Sequence, residues 1–262
     1  GTRETFCLQL SSGRFVEATA NHPFRTVAGW RRLDELVGGT RVAVPRVLGT
    51  PEVLLVPDDR SPTETAREAV ETGTIASTVH SYGDADLAGF LRVLFGELGY
   101  LSVTRLRGRP HVRIAATTRH RRLIDDLQGL LCRFGVQGRI TDIGSTNPRW
   151  RLWIHGVEQQ RRFLDSVGFG GRYEDLVPEA LSALQGVRGN PNVDTVPAEV
   201  RSLVVDELAA ASMTHRQLAD SLGEQYCGGY LLGTESRPRA TSRERLGRMA
   251  DVVGSKALSE LA

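Results

Sequence analysis

The stretch Leu87-Ala88-Gly89-Phe90-Leu91-Arg92-Val93-Leu94-Phe95-Gly96-Glu97-Leu98-Gly99 decides the fold of the middle of the chain. From Asp84 onward, apolar residues recur at the three- and four-residue spacing that places side chains on one face of a helix. They are Leu87, Phe90, Leu91, Leu94, Phe95 and Leu98. The stretch therefore predicts an amphipathic helix whose apolar face is buried.

A regular order of elements follows this helix. The pattern of apolar residues predicts strands at about 100–106 and 111–117, a helix over 119–134, strands at about 137–143 and 149–154, and a helix near 157–167. Together with the first helix, the predicted order is α-β-β-α-β-β-α.

This order and the quoted stretch resemble one module of the LAGLIDADG homing endonucleases, over residues 84–189. The resemblance implies a helix whose small residues let two such helices touch. It also implies an acidic residue, just before the last glycine, that binds Mg²⁺ for hydrolysis of double-stranded DNA. In this chain Leu98 occupies the acidic position. Glu97 is one residue away, which is about 100° around a helix.

These departures lead to two alternative expectations about activity. The sequence contains no second copy of the motif, and the stretch 51–83 is too short to hold another module. We therefore expect a folded module that has lost DNA cleavage. The alternative is a single-motif nuclease that acts as a dimer, with Glu97 as its catalytic and metal-binding residue and Mg²⁺ as its cofactor.

A hairpin is predicted near the N-terminus. Phe6, Leu8 and Leu10 alternate along the chain and predict a half-buried strand. Ser11-Ser12-Gly13 has turn chemistry, and residues 15–19 return as a second strand.

Thr19 and His22 follow this hairpin and form a T-x-x-H motif. Imidazole groups can protonate the nitrogen of an amide that is being cleaved, and a threonine hydroxyl can stabilise the developing oxyanion. The motif and the stretches 30–36 and 38–46 resemble the Hint-type splicing domain of inteins. The resemblance implies that Thr19 and His22 act in autocatalytic cleavage at the upstream splice junction.

The ends of the sequence differ from the intein pattern. An intein begins with Cys or Ser and ends in His-Asn, whereas this sequence begins Gly1-Thr2 and ends Leu261-Ala262. We therefore expect an intein fragment in which protein splicing, like DNA cleavage, is lost.

The last third of the chain predicts short helices separated by capping motifs. Helices at 196–211, 217–222 and 224–232, and a last helix after the capping box Thr241–Glu244, resemble a repressor-like helix-turn-helix domain. A plain helical bundle is the alternative. The resemblance implies DNA contacts from Arg216, Gln217, Arg237, Arg239 and Arg243.

The composition agrees with an α+β multidomain protein. An apolar fraction of 40% is sufficient for packed cores, and no apolar run is long enough to span a membrane, so we expect a cytoplasmic protein. The 3 cysteines are scattered and indicate neither a disulfide framework nor a zinc site. Lys256 is the only lysine. The positive charge is therefore almost entirely arginine, which suits phosphate and guanine contacts.

The predicted domains are a β-rich Hint fragment at 1–50, a linker or deletion scar at 51–83, the LAGLIDADG-like module at 84–189 and an all-α, helix-turn-helix-like domain at 190–262. The assembly resembles inteins of actinobacterial replicative DNA helicases. This implies such a helicase as the host extein and double-stranded DNA as a partner. Two classes of function remain open, a decayed intein with its endonuclease and a sequence-specific DNA-binding protein.

Overall fold

The computed structural model describes residues 3–51, 60–106, 108–187, 189, 194–225 and 240–262. The chain divides into two compact units, residues 1–20 with 44–189 and residues 21–43 with 190–262. The predicted boundary near residue 50 does not coincide with this division. The N-terminal hairpin belongs to the central module, and residues 21–43 belong to the unit of C-terminal helices.

The described strands are β1 (Phe6–Gln9), β2 (Phe15–Ala18), β3 (Pro23–Thr26), β4 (Gly29–Arg32), β5 (Gly99–Leu106), β6 (Arg109–Thr118), β7 (Arg139–Asp142) and β8 (Trp150–Ile154). The described helices are α1 (Pro62–Thr72), α2 (Asp84–Leu98), α3 (Arg121–Leu131), α4 (Val157–Ser166), α5 (Val177–Leu184), α6 (Val200–Ala210), α7 (His215–Ser221), α8 (Arg243–Val253) and α9 (Lys256–Leu261). None of these helices has both the length and the apolar character needed to cross a lipid bilayer.

The predicted order α-β-β-α-β-β-α is confirmed by α2, β5, β6, α3, β7, β8 and α4. The four strands form one antiparallel sheet in the order β5-β6-β8-β7. Successive residues of a strand point to opposite faces. One face therefore joins the main core, through Leu101, Ile114, Ile140 and Leu152 among others.

Helix α2 supplies the centre of the main core. Its predicted stripe is fully buried at Leu87, Phe90, Leu91, Leu94 and Phe95. Burial of one side chain of this size contributes about 1.5–3 kcal/mol. The ring of Phe95 also lies 4.5 Å from that of Phe163 and 5.6 Å from that of Phe169, measured between centroids. The motif helix is therefore fixed by packing along most of its length.

The stretch predicted as a linker or deletion scar contributes to this core. Helix α1 begins with a capping box, in which the Ser61 hydroxyl accepts from the Glu64 amide and the Glu64 carboxylate accepts from the Ser61 amide. Its buried face carries Ala66 and Ala69, whose small side chains allow α1 to pack against α2. Further buried residues of the stretch are Ile75, Val79 and Tyr82. Residues 60–83 are therefore part of the module.

The two predicted N-terminal strands pair as a hairpin, with Phe6 opposite Ala18. The expected half-burial is wrong for Phe6, which is 46% exposed. A two-stranded sheet cannot bury both its faces without other layers. A second hairpin, β3 with β4, belongs to the other compact unit.

Within this second unit, the described part of residues 190–262 is helical. Helices α6 to α9 enclose a separate core that includes Val200, Val204, Leu208, Leu218, Leu246, Met249 and Leu258. The capping box at Thr214 is confirmed. The predicted second box is corrected, because α8 is capped by the Ser242 hydroxyl and Thr241 is buried. From residue 226 onward, the predicted helix at 224–232 lies outside the described residues.

Candidate nucleic-acid interface

The outer face of the four-stranded sheet carries polar, aromatic and basic side chains. The register places Tyr100, Ala115, Trp153 and Arg139 in one row across all four strands. Two further sets of cross-strand neighbours are Ser102 with Arg113, and Thr117 with Arg151 and Thr141. None of these residues belongs to the main apolar core. Apart from the buried Ala115, they form a surface, which we call the sheet face.

Two arginines of the sheet face are held by their neighbours. Arg113 donates from Nε to the Ser102 hydroxyl at 3.3 Å, and its guanidinium carbon lies 5.7 Å from the centroid of the Tyr100 ring. Arg151 donates from Nε to the Thr117 hydroxyl at 3.1 Å and lies 5.2 Å from the Trp153 ring. In each case Nε is occupied. Among the described residues the other guanidinium donors have no hydrogen-bond partner, so they can donate to phosphate oxygens or guanine.

The sheet face is basic. Among the residues of β5 to β8, the sequence contains one acid, Asp142. This residue is two positions from the buried Ile140 on β7, so it lies on the same face of the sheet as Ile140, the core face. The outward positions include Arg113, Arg139 and Arg151 and no carboxylate. This distribution favours a polyanion such as nucleic acid.

His155 follows β8 at the end of the sheet face. Its ring stacks on Trp153, with centroids 5.6 Å apart and an interplanar angle of 21°. Burial lowers the pKa of the His155 imidazole below its usual value, and the positive charge of Arg139 lowers this pKa further. His155 is therefore a neutral ring with hydrogen-bonding groups at neutral pH, rather than a further cation.

The C-terminal end of α2 carries Glu97, the alternative catalytic acid predicted from the sequence. Leu98 packs against the main core, whereas Glu97 is exposed. Glu97 lines a cleft of about 340 Å³ together with Arg67, Arg172 and the backbone of Gly170 and Gly171. The different surroundings of Leu98 and Glu97 follow from their rotation by about 100° around the helix.

The residues of this cleft do not fit Mg²⁺. This ion prefers several oxygen ligands in an octahedral arrangement. The cleft offers the carboxylate of Glu97 next to two guanidinium groups, which repel a dication. Within the described ranges, no three His, Cys, Asp or Glu side chains are grouped in a way that could hold a metal ion.

The two residues of the T-x-x-H motif fall in different compact units. Thr19 immediately follows β2, and His22 immediately precedes β3. His22 is exposed, its ring makes an edge-to-face contact with Phe24 at 5.2 Å, and its carbonyl oxygen accepts from the Leu33 amide at 2.9 Å. The structure thus places His22 at the start of the second hairpin.

The predicted DNA-contacting residues of the helical unit differ in their environments. Arg216 is exposed in the first turn of α7. The amide oxygen of Gln217 accepts from the backbone and the hydroxyl of Thr214, both at 2.8 Å, so it is engaged in the helix cap. Arg237 and Arg239 lie outside the described residues.

Arg243, also predicted to contact DNA, has two partners within the helical part of the chain. Its Nε lies 3.1 Å from an Asp194 carboxylate oxygen, and its Nη1 donates to the carbonyl oxygen of Leu261. Arg243 therefore ties the beginning of the helical unit to its end. The sequence could not reveal this role, because these partners are distant in the chain.

The sequence alone did not single out the residues of the sheet face. The usable signal was the alternation along the four strands, in which the positions between core residues hold Arg113, Arg139, Arg151 and Trp153. The sequence predicts these strands, but only the register of the sheet shows that their outward arginines lie side by side.

Residues 85–168 match the protein family described as "LAGLIDADG-like domain". The matched residues contain nearly all of α2, the strands β5 to β8 with the sheet face, and helices α3 and α4. The match confirms a LAGLIDADG-like domain in the central module.

The whole chain is also similar to parts of larger proteins. It is 24% identical over 352 aligned positions to "Replicative DNA helicase DnaB" of Rhodothermus marinus, and the alignment covers 100% of this chain and 36% of that protein. The protein of the same name from Synechocystis sp. is 22% identical over 344 positions, covering 100% of this chain and 39% of that protein. "Probable translation initiation factor IF-2" of Pyrococcus abyssi is 28% identical over 187 positions, covering 68% of this chain and 17% of that protein. The chain spans well under half the length of each relative.

Proposed function

We propose that this chain is an intein-derived segment whose LAGLIDADG-like domain binds double-stranded DNA and no longer cleaves it. The observation that carries the binding proposal is the basic sheet face. Arg113 and Arg151 are fixed by neighbouring hydroxyls and rings, and Arg139 extends the same row as Trp153. Side chains on a β-ribbon can enter the major groove, where arginine recognises guanine and phosphate oxygens.

The loss of cleavage is proposed from the end of α2. The position that needs a carboxylate holds Leu98, which packs into the core, and the cleft beside it places Glu97 with two arginines. A single carboxylate in such surroundings is a poor ligand set for a catalytic divalent ion. Binding through arginines needs no metal, so it can persist without catalysis.

A second candidate is an active single-motif nuclease that dimerises and uses Glu97. One observation favours it, namely that Glu97 lines an open cleft at the end of the motif helix. Incubation with duplex DNA and Mg²⁺ or Mn²⁺ separates the two candidates. Metal-dependent cuts that disappear in Glu97→Gln would establish the nuclease, and intact DNA favours the binding protein.

The proposed intein origin rests on the T-x-x-H motif and on the pattern of similarity. The same chain resembles parts of proteins with two different names, a helicase and a translation initiation factor, as expected for a mobile segment inserted in different hosts. The Rhodothermus alignment has 352 positions and this chain has 262 residues, so at least 90 positions have no counterpart here. That difference fits an internal deletion.

A replicative DNA helicase, of actinobacterial type, is the proposed host extein. Thr19 and His22 are the proposed splicing residues. The reading frame around the gene tests this origin. Helicase-like sequence on both sides supports an intein, whereas a separate gene with its own start and stop codons contradicts it.

Helical residues 190–262 are proposed as a second DNA contact, of helix-turn-helix type, through Arg216, Arg237 and Arg239. Within the described part, Arg216 is exposed at the start of α7. Replacement of Arg216 by alanine should weaken DNA binding of the full chain if this unit contributes.

Fluorescence anisotropy with a random duplex tests the sheet face. We expect micromolar or tighter binding at low salt, with log affinity falling linearly with log salt concentration. The triple variant Arg113→Ala, Arg139→Ala, Arg151→Ala should lower the magnitude of that slope by about 0.9 for each phosphate that is no longer neutralised. A charge-matched control replaces three exposed arginines outside the sheet face, Arg31, Arg67 and Arg122. Equal effects of the two triple variants would contradict a specific role of the sheet face.

A further inference from the structure

The turn of the β1–β2 hairpin lies against an edge of the four-stranded sheet. Strand β7 is the last strand on its side, so one row of its backbone groups faces no further strand. The amide of Ile140 in β7 donates to the carbonyl oxygen of Ser12 at 2.8 Å. At this point the hairpin turn therefore takes the place of a neighbouring strand.

Gly13 makes this close approach possible. Its φ is +85°, a backbone conformation that favours glycine. A Cβ atom on Gly13 would lie 2.2 Å from the carbonyl oxygen of Ile140. A larger residue would strain the turn and also push it off β7.

Arg121, at the start of α3, joins the turn to the module from a second direction. Its guanidinium donates to the carbonyl oxygen of Gly13 and pairs with Asp125 at 2.6 Å. The same group lies between two rings, 5.2 Å from the Phe15 centroid and 4.5 Å from the Trp150 centroid. One side chain thus connects the hairpin, α3 and β8.

Arg14 provides a third connection. Its Nη2 donates to the side-chain oxygen of Gln137 at 2.7 Å and lies 3.3 Å from the sulfur of the buried Cys132. Gln137 in turn donates to the carbonyl oxygen of Arg46 at 2.8 Å. The contact is therefore built from backbone, charged and aromatic groups.

We propose that residues 11–15 are a clip that covers the β7 edge and keeps β7 and β8 in register, and that Arg121 locks this clip. Trp150, which stacks on Arg121, directly precedes Arg151 on β8, and Arg139 begins β7. The clip therefore positions the half of the sheet face that carries Arg139 and Arg151. This part of the inference rests on the proposed DNA binding. Arg121 is a positioning residue, since its Nε and Nη2 groups donate to Asp125 and Gly13 and its guanidinium lies over the rings of Phe15 and Trp150.

Hydrogen exchange of the Ile140 amide tests whether the clip is closed. Gly13→Ala in the full chain should raise the exchange rate at Ile140 about tenfold or more, while amides shared by β5 and β6 stay protected. Gly29→Ala is the matched control. Gly29 also has a positive φ, at the start of β4 directly after a hairpin turn, but a Cβ atom there meets nothing within 4 Å. Unchanged exchange at Ile140 in Gly13→Ala and in Arg121→Ala would overturn the clip.

DNA titrations at several salt concentrations test the positioning role. Arg121→Ala should weaken binding roughly threefold or more at each salt concentration without changing the log–log slope, because Arg121 contacts no phosphate. Arg121→Lys, which keeps a donor for Gly13, should recover part of the loss. Arg122→Ala is the control, since that side chain is 77% exposed.

The two readouts separate failure of the clip from failure of DNA binding. A slope reduced by about 0.9 in Arg121→Ala would show a direct phosphate contact and overturn the positioning role. Faster Ile140 exchange with unchanged affinity would also overturn that role. If the wild-type chain does not bind duplex DNA, the proposed function and the positioning role fail together, and the exchange rate of Ile140 still decides whether the clip exists.

Discussion

A Cβ atom on Gly96 would lie 2.8 Å from the carbonyl oxygen of Gly170. The motif helix α2 and the loop after α4 therefore touch through their backbones. The Gly170 amide also donates to the carbonyl oxygen of Arg92 at 3.1 Å. A small residue of the motif helix is thus used for a contact inside the module.

We predict that Gly96→Ala lowers the free energy of unfolding by about 1–3 kcal/mol, because the added methyl group separates α2 from the loop. Gly89 is on the same helix, but its nearest neighbour would lie 4.0 Å from a Cβ atom. Gly89→Ala should be neutral or raise stability by up to about 1 kcal/mol, since alanine is the better helix former. Urea denaturation measures the free energy of unfolding of both variants. Similar effects at the two positions would contradict the close contact.

We predict that Leu98→Asp does not create a nuclease. Leu98 packs against the main core. A carboxylate at this position should cost about 1–3 kcal/mol of stability, and one acid does not complete a metal site. Plasmid cleavage with Mg²⁺ or Mn²⁺ is the assay, and Leu98→Asn is the control for polarity without charge. Cleavage by the aspartate variant alone would show that only this carboxylate is missing.

Arg243→Ala should destabilise the helical unit by about 1 kcal/mol, through loss of the bonds to Asp194 and to the Leu261 carbonyl oxygen. The Arg243 side chain is 30% exposed, so the ion pair itself adds little. Arg216→Ala, on an exposed side chain, should leave stability unchanged. Amide exchange in α8 and α9 measures the stability of the helical unit in both variants. An unaffected Arg243→Ala protein would contradict the structural role.

The His155 environment predicts a pH effect on stability. Its pKa is lower in the folded protein than in the unfolded chain, so the folded state binds fewer protons. The contribution of neutral His155 to the free energy of unfolding is fully present above the unfolded pKa, about 6.5. It is lost as the pH falls below that value, because the unfolded chain then binds the proton more readily. Denaturation at pH 7.5 and 5.5 should show a larger acid-induced loss for wild type than for His155→Gln. An equal loss would remove His155 as the cause.

The order of the central module could be predicted because its signals are local. The α2 stripe is buried as its spacing indicates, and β5 to β8 alternate between core and surface. Helix α1 gives only a weak apolar signal in the sequence, because glutamates cover its outer side and its buried face carries two alanines.

The long-range features could not be predicted from the sequence. Arg121 and Gly13 are separated by 108 positions, and Arg14 and Gln137 by 123. No periodic pattern connects residues so far apart. The same limit applies to Arg243, whose partners come from both ends of its unit.

The 108 positions between Gly13 and Arg121 also determine the order in which structure can form during synthesis. At about 5–20 residues per second, the hairpin is made roughly 5–20 s before α3 exists to receive it. Contacts across so many residues carry a large loop-closure cost and form after local ones. Of the described strands, β1 and β2 leave the ribosome first, yet they are among the last to reach their final place. Until then Phe15 is without its contact with Arg121 and is available to chaperones.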